Sequence, residues 1–220
     1  MMVLCVKCKK DDPTSSVQEG DHFCVECFQK QMYERYRVQI SKSREHRGQR
    51  QRILLEWDSS FKSEVLLYFA TLIWKLEPNR KMHDAFYISS SQLGSSGDVL
   101  DSPYVKEATA SDVYDRVYSA ESTNDLAKRF MELTCRGEAE EIATTLHGGH
   151  RVFPLLGMTD EELRRMHALV FPHRPLRETV RPGDPLAALV GDFLERLGEE
   201  KASTASIVLK TCTKFSIPNK

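Results

Sequence analysis

The sequence predicts an α/β protein with a mainly parallel sheet, preceded by a small metal-binding module. Two observations predict it. Short strand-like runs alternate along the chain with stretches in which apolar residues recur at helical spacing, and four cysteines stand in two Cys-x-x-Cys pairs near the start. We therefore expect a zinc-binding module at 1–29, a basic helix or linker at 30–51, and an α/β domain at 52–220.

The predicted strands are short apolar runs bounded by turn residues. The first ends in Trp57, and a Ser/Gly-rich loop follows the second. With the helix between them, the first two runs make a strand–helix–strand unit. The four strand-like runs lie at 52–57, 85–88, 117–118 and 151–156.

The predicted helices are recognised by their apolar stripes and their end signals. Pro78 closes the helix after the first strand, and Ser122 or Thr123 caps the next one, which Gly137 ends. Thr159 and Glu162 fit a capping box, in which each side chain accepts from the other residue's free backbone amide. A further helix starts at Asp184-Pro185 and ends at Gly198, and the last one covers about 203–215.

The cysteine pairs predict a structural zinc site. Fifteen residues separate the pairs, a spacing typical of zinc modules, and two residues within each pair let one tight turn present two sulfurs to one ion. Two disulfides and an iron–sulfur cluster are the alternatives, of which the first conflicts with the absence of a secretory signal and the second has other usual spacings. His22 could replace one ligand. The predicted ligands are Cys5, Cys8, Cys24 and Cys27.

A basic segment follows the cysteines. Residues 30–52 contain eight lysines and arginines against two glutamates, a net charge of +6, whereas the whole chain carries −1. Such a segment attracts phosphate backbones, and a solvated helix surface is the equally weighted alternative. The candidate contacts to a phosphate backbone are Arg35, Arg37, Lys42, Arg44, Arg47, Arg50 and Arg52.

The turn after the first strand is where phosphates bind in many α/β folds, because the amides of the following helix point at the ligand. Here it contains no glycine to allow close backbone approach, and its first residue is an acid. Lys62 and the serines could contact a phosphate, but a serine-rich helix start also serves as a simple N-cap. We expect no tight ATP binding at Asp58, Ser59, Ser60, Lys62 and Ser63.

The ordered set of segments resembles a known family, the cytosolic thiouridylase subunit 2 proteins of cytoplasmic tRNA 2-thiolation. The segments that carry the resemblance are CVKC, DHFCVECF, RILLEWDSSFKSEVL, STNDLAKRFMELTCRG, RVFPLLGMTDEELRRMHALV and FLERLGEEKASTASIVLKTCTKF. The resemblance implies a Rossmann-like PP-loop ATPase fold, related to adenine-nucleotide α-hydrolases. It also implies a heterodimer with a catalytic sister subunit, which 2-thiolates the wobble uridine of tRNA with sulfur delivered by a ubiquitin-related modifier protein.

Two departures from the active sisters indicate a subunit without catalysis of its own. The sisters carry a Ser-Gly-Gly-x-Asp-Ser loop that binds ATP, and only Ser63 of the present turn agrees with it. Their reactive cysteines are not matched by Cys135 or Cys212, which we interpret as buried small hydrophobes. One alternative is an active ATP-dependent sulfurtransferase using Ser60, Lys62, Ser63 and Cys135; another is a zinc module without any RNA role. With no membrane-spanning run and no signal peptide, we expect a cytoplasmic protein.

Overall fold

The computed structural model describes most of the chain in eleven stretches. These are residues 4–10, 15–18, 21–43, 51–76, 85–89, 105–109, 112–138, 141, 150–178, 184–201 and 203–215. The predicted Ser/Gly-rich loop, the helix end at Pro78 and the turn before His150 lie mostly outside them.

A five-stranded parallel sheet forms the centre of the fold. Its strands stand in the order β5-β4-β3-β6-β7, so the chain starts in the middle, builds outward to one edge and then returns to build the other. The switch point lies between β3 and β6, where α/β folds bind ligands beyond the carboxyl ends of the strands. A separate antiparallel hairpin, β1-β2, lies between the two cysteine pairs. The strands are β1 Ser15–Gln18, β2 Asp21–Phe23, β3 Arg52–Leu55, β4 Ala85–Ser89, β5 Val105–Ala108, β6 Arg116–Tyr118 and β7 Arg151–Val152.

Six helices surround and extend the sheet within the described residues. Three of them begin at side-chain caps: Ser122 and Thr159 close capping boxes, and Asp184 precedes a proline at the first helical position. Each cap accepts a hydrogen bond from a backbone amide that the helix itself leaves unpaired. The helices are α1 Val25–Ser43, α2 Phe61–Leu76, α3 Thr123–Cys135, α4 Asp160–Val170, α5 Pro185–Glu200 and α6 Thr204–Phe215.

The main core joins the sheet, α2 and α4 to the N-terminal helix α1. Tyr36 is fully buried on α1, and its ring centroid lies 5.3 Å from that of Phe69 on α2. Burial continues back along α1 through Met32 and Phe28 to Cys24 and Cys5 in one cluster. The helix that the sequence predicts as a basic linker therefore begins at Val25, inside the predicted metal module, and contributes its apolar face to the core.

A smaller apolar cluster holds the C-terminal helices against α3. Leu126 and Ala127 of α3 meet Val190 and Leu194 of α5, together with Leu209 of α6. On α5 the outward side chains Leu189 and Phe193 are exposed. None of the described helices is both long and apolar enough to cross a membrane.

The predicted α/β class is confirmed. The structure differs from the prediction in the number of strands and in where some elements end. The structure adds β5, which pairs with β4, and shortens the run predicted at 151–156 to two strand residues followed by turns. The helix predicted to end at Gly198 continues to Glu200. A helical glycine costs about 1 kcal/mol relative to alanine, which packing against α3 and α6 outweighs.

Candidate functional site

The four cysteines come together at the start of α1. Cys5 and Cys8 lie on a tight turn, in which the Cys5 carbonyl accepts from the Lys9 amide at 2.9 Å. Cys24 immediately precedes α1, and Cys27 lies in its first turn. The turn is held to the hairpin by the Val6 amide, which donates to the His22 carbonyl at 2.8 Å. Both knuckles therefore present their sulfurs towards one point.

The sulfur geometry fits a single metal ion. All four Sγ atoms lie within 4.8 Å of one another, and those of Cys8 and Cys24 are 3.7 Å apart. Zinc–sulfur bonds of about 2.3 Å in a tetrahedron place the sulfurs about 3.8 Å apart. His22 does not belong to this group among the described residues. The predicted ligands are thus brought together, with a spacing that suits one tetrahedral metal ion.

The protonation of the thiols depends on their surroundings. Backbone amides of Cys8 and Cys24 lower the pKa of the Cys5 thiol to about 6. Burial and the neighbouring cysteine thiols raise the pKa of the Cys27 thiol to about 12. A divalent cation favours the thiolate form of every ligand, so metal binding releases protons here.

The loop after β3 is closed by its own hydrogen bonds. The Asp58 carboxylate accepts from the Ser60 amide at 2.9 Å, and the Ser60 hydroxyl accepts from the Ser63 amide at 3.3 Å. The first amide of α2, on Phe61, donates to the Arg177 carbonyl at 2.8 Å. Ser60 and Ser63 are each 1% exposed. The predicted contact residues are therefore adjacent, but the two buried serines face inward.

Lys62 points into a buried ionic cluster. Its Nζ lies 2.6 Å from Asp125 Oδ2 and 3.0 Å from Asp160 Oδ2, and its side chain is 4% exposed. The Ser122 hydroxyl lies within hydrogen-bond distance of both carboxylates, and its one hydrogen can be donated to either of them. Burial opposes the lysine's charge, but attraction to Asp125 and Asp160 outweighs it and raises the pKa of Lys62. The ammonium is therefore held charged and fully paired.

Sequence reasoning missed the acidic half of this cluster. Asp125 and Asp160 lie in the first turns of α3 and α4. The available signal was that their caps, Ser122 and Thr159, each follow a strand-like run. Carboxyl ends of parallel strands share one edge of the sheet, so both helix starts had to come near the loop after β3. Nothing in the sequence indicated that Arg177 would return to the same place.

The candidate tRNA contacts fall into distinct environments. Arg35 donates to Glu162 at 2.8 Å and to the Gly157 carbonyl, and it fastens α1 to α4. Arg52 pairs with Asp112, and its guanidinium carbon lies 5.1 Å from the ring centroid of Tyr87. The remaining described members, Arg37 and Lys42, are exposed, while Arg44, Arg47 and Arg50 lie outside the described residues.

The two other cysteines lie outside the metal site. Cys135, which the sequence predicts to be buried, ends α3 and is exposed, so that interpretation is wrong for this residue. Cys135 is the last helical residue, before the C-cap Arg136, and its side chain lies in solvent. Cys212 belongs to α6, and its side chain lies outside the described ones.

Comparison with known proteins gives a match in fold. No protein-family model matches the chain, and neither does any curated protein. Among solved structures it is similar to the U34-tRNA thiolase NcsA from Methanococcus maripaludis, determined with its [4Fe-4S] cluster, with a TM-score of 0.76 and 12% identity. The match covers 98% of this chain and 88% of that one. At this identity the likeness shows the fold, and it confirms the predicted Rossmann-like α/β architecture with a parallel sheet.

Proposed function

We propose that this chain is a non-catalytic subunit of a complex that 2-thiolates the wobble uridine of cytoplasmic tRNAs. The observation that carries the proposal is the shared fold: a U34-tRNA thiolase superposes with a TM-score of 0.76 over 98% of the chain. The sequence resemblance supplies the finer roles. A catalytic sister subunit would activate the uridine, and a ubiquitin-related modifier protein would deliver the sulfur.

The closed loop after β3 supports a role without catalysis. A nucleotide-binding loop offers backbone amides and a lysine to phosphate oxygens. Here the Ser60 amide, the Phe61 amide and the Lys62 ammonium all have partners within the chain. Asp58 adds negative charge at the same edge of the sheet. ATP binding would first have to break these contacts, so we assign activation of the uridine to the sister subunit.

Exposed cations of α1 support tRNA binding. Arg37 and Lys42 lie on the solvent side of a helix whose opposite face is buried against the sheet domain. The three arginines that follow in the sequence extend the same basic segment. Side chains of this kind contact phosphates, which positions a nucleic acid without reading its sequence. Arg35 and Arg52 instead contribute mainly by holding α1 and β3 in place.

The cysteine centre supports α1 from its first turn. When bound, zinc in a closed shell of four thiolates supplies structure and leaves no open position for a reacting group. Cys24 and Cys27 belong to the start of α1, so the centre fixes the end of the helix that carries the exposed cations. The metal site therefore acts on tRNA binding indirectly, through the placement of this helix.

Co-purification followed by reconstitution tests this proposal. The tagged chain isolated from its own cells should bring with it tRNA and one PP-loop protein that has an intact glycine-containing loop. Mixed with that protein, ATP, tRNA and a sulfur donor, it should yield 2-thiouridine, seen as retarded tRNA on a mercury-containing gel. The partner without this chain should lose most activity, and this chain without the partner should have none. Thiolation by the isolated chain would refute the non-catalytic role, and full activity of the partner alone would refute the subunit role.

A further inference from the structure

The start of α2 is surrounded by hydrogen-bond acceptors and negative charges that belong to the chain itself. A bound phosphate would supply acceptors and charge of the same kind. Helix α2 has 16 residues, and its N-terminus lies at the switch point of the sheet. Such a terminus attracts an anion through its unpaired amides and its dipole. Here oxygen atoms of the protein accept hydrogen bonds from amides at this terminus.

The backbone donors are satisfied first. Asp58 Oδ1 accepts from the Ser60 amide at 2.9 Å, and the Arg177 carbonyl accepts from the Phe61 amide at 2.8 Å. The hydroxyl of Ser60 accepts from the Ser63 amide at 3.3 Å. Three backbone donors of the turn and of the first turn of α2 therefore have protein acceptors.

The cationic donor is satisfied by two carboxylates. Asp125 and Asp160 come from the first turns of α3 and α4, and together they bring two negative charges to one buried ammonium. Two oxygens from separate groups, both within hydrogen-bond distance of Lys62, resemble the two oxygens of a bound phosphate. The Ser122 hydroxyl lies between the two carboxylates, within hydrogen-bond distance of each.

The segment that supplies the Arg177 carbonyl is itself fastened across the start of α2. Arg174 donates to Glu64 on α2 at 3.0 Å, and Glu64 also lies 2.5 Å from His167 Nε2 on α4. Farther along, Glu178 accepts from Arg164 at 3.1 Å. This strap, residues 171–178, therefore covers the first amide of α2 through contacts on both sides of it.

We propose that Asp125 and Asp160 are built-in substitutes for a phosphate, which hold this site closed so that the fold is complete without a nucleotide. This inference deepens the proposed non-catalytic role and rests on it. Its test uses the isolated chain and needs no tRNA. It makes Lys62 the centre of an anion site that the chain's own carboxylates inhibit. Removing both charges while keeping their shape should expose that site to free anions.

The test is thermal unfolding of the intact, metal-loaded chain at low salt, with and without inorganic pyrophosphate. The variant carries Asp125→Asn and Asp160→Asn together; asparagine keeps an oxygen that can accept from Ser122. The wild type should not respond to pyrophosphate. The double variant should unfold at a lower temperature because a buried ammonium has lost its counter-charges. Pyrophosphate should raise its midpoint by about 3–6 °C at ten times the dissociation constant.

Matched variants separate this site from general effects. Adding Lys62→Met to the double variant should abolish the response to pyrophosphate, and Asp192→Asn, on the exposed side of α5, should behave as the wild type. If the double variant does not fold, Asp160→Asn alone, which leaves Lys62 one carboxylate, should give a smaller stabilisation by the same ligand. A pyrophosphate response of the wild type, or folded Asp125/Asp160 variants that show none, would overturn the proposal. Neither result bears on the proposed thiolation role, which the reconstitution assay above tests separately.

Discussion

Arg35 and Arg37 show that two cations on one helix can have different roles. Both are arginines of α1 and both are candidate tRNA contacts. Arg35 turns inward to Glu162, whose side chain is 3% exposed and also closes the capping box of α4. Arg37 pairs at 3.4 Å with Glu34, and both side chains are more than 40% exposed. The two residues carry the same charge, but we expect removal of Arg35 to cost more unfolding free energy than removal of Arg37.

We expect Arg35→Ala to destabilise the protein more than Arg37→Ala. Loss of Arg35 leaves the buried Glu162 carboxylate without its counter-charge, which costs about 1–3 kcal/mol of unfolding free energy or more. Loss of Arg37 removes a solvent-exposed pair, worth about 0–1 kcal/mol. Urea denaturation at neutral pH and fixed salt measures both, and the two variants serve as each other's controls. Equal losses would show that Arg35 does not fasten α1 to α4.

At the scale of elements, the sequence predicted helices better than strands. Local signals, such as the capping box of Thr159 and Glu162, identify a helix start because the hydrogen bonds involved lie within one turn. β5 has the sequence VKEA, and its strand state depends on pairing with β4, which no local pattern indicates. Hairpin β1-β2 was likewise missed, since its polar residues pair only because the cysteine knuckles bring the chain back.

The candidate sites also differ in how far the sequence predicted them, according to whether their residues are near or distant along the chain. Four cysteines at fixed spacing predicted which side chains come together as candidate metal ligands, because ligand chemistry restricts the spacing, and zinc as the metal stays a prediction. The position of the loop after β3 was predicted, and its poor fit to phosphate stays a prediction from its missing glycines. Its closure by Asp125, Asp160 and Arg177 was not predicted, since these residues come from three separate parts of the chain. Such clusters are formed by the topology of the sheet, which brings distant segments together, and no local sequence pattern indicates them.

Helix α1 links the metal centre to the core, and this gives a prediction for its ligands. Replacing Cys24 with serine should abolish binding of the one zinc ion per chain, because the closed shell loses a thiolate. Cys24 is 8% exposed and belongs to the same buried cluster as Phe28, Met32 and Tyr36. We therefore expect the loss to loosen α1 as well as the knuckles and to lower the unfolding midpoint of the whole domain by several degrees, roughly the effect of 1–3 kcal/mol.

Elemental analysis and calorimetry of the same preparations measure metal content and stability together. Cys135→Ser is the matched control, because it makes the same chemical change at an exposed position at the end of α3. This control should keep both its zinc and its unfolding midpoint. Iron in place of zinc in the wild type would refute the metal assignment. An unchanged midpoint in the metal-free Cys24→Ser variant would refute the coupling through α1.

Over the whole molecule, charge is distributed unevenly although the total is close to zero. The chain carries −1, while residues 30–52 carry +6. Several acids of the remainder are used inside the fold, where Glu64, Asp125, Asp160 and Glu162 pair with buried or half-buried cations. Among the described members of the basic segment, Arg37 and Lys42 are exposed to solvent. Attraction to a polyanion is therefore expected to be concentrated along α1 and the segment after it.

We expect reversal of Arg44, Arg47 and Arg50 to glutamate to weaken tRNA binding and flatten its dependence on salt. Each lost phosphate contact should reduce the slope of log K against log salt by about one unit or slightly less, because fewer counterions are released. The loss should be similar for all tRNAs, since phosphate contacts carry no sequence information. Binding of the sister subunit should persist, because we expect its interface on the α/β domain.

A control must match the change in net charge, because any reversal repels a polyanion at long range. Lys106→Glu, Arg196→Glu and Lys201→Glu together change the charge equally at exposed positions of β5, α5 and the residue after it. Titrations of labelled tRNA from about 50 to 200 mM salt distinguish the two triple variants, since long-range repulsion alone affects both equally. If Arg44, Arg47 and Arg50 contact phosphates directly, their reversal should lower both the affinity for tRNA and the slope of its salt dependence. The control variant should keep its slope. If the two variants behave alike, the basic segment is a solvated surface, and the proposed phosphate contacts at Arg44, Arg47 and Arg50 are wrong.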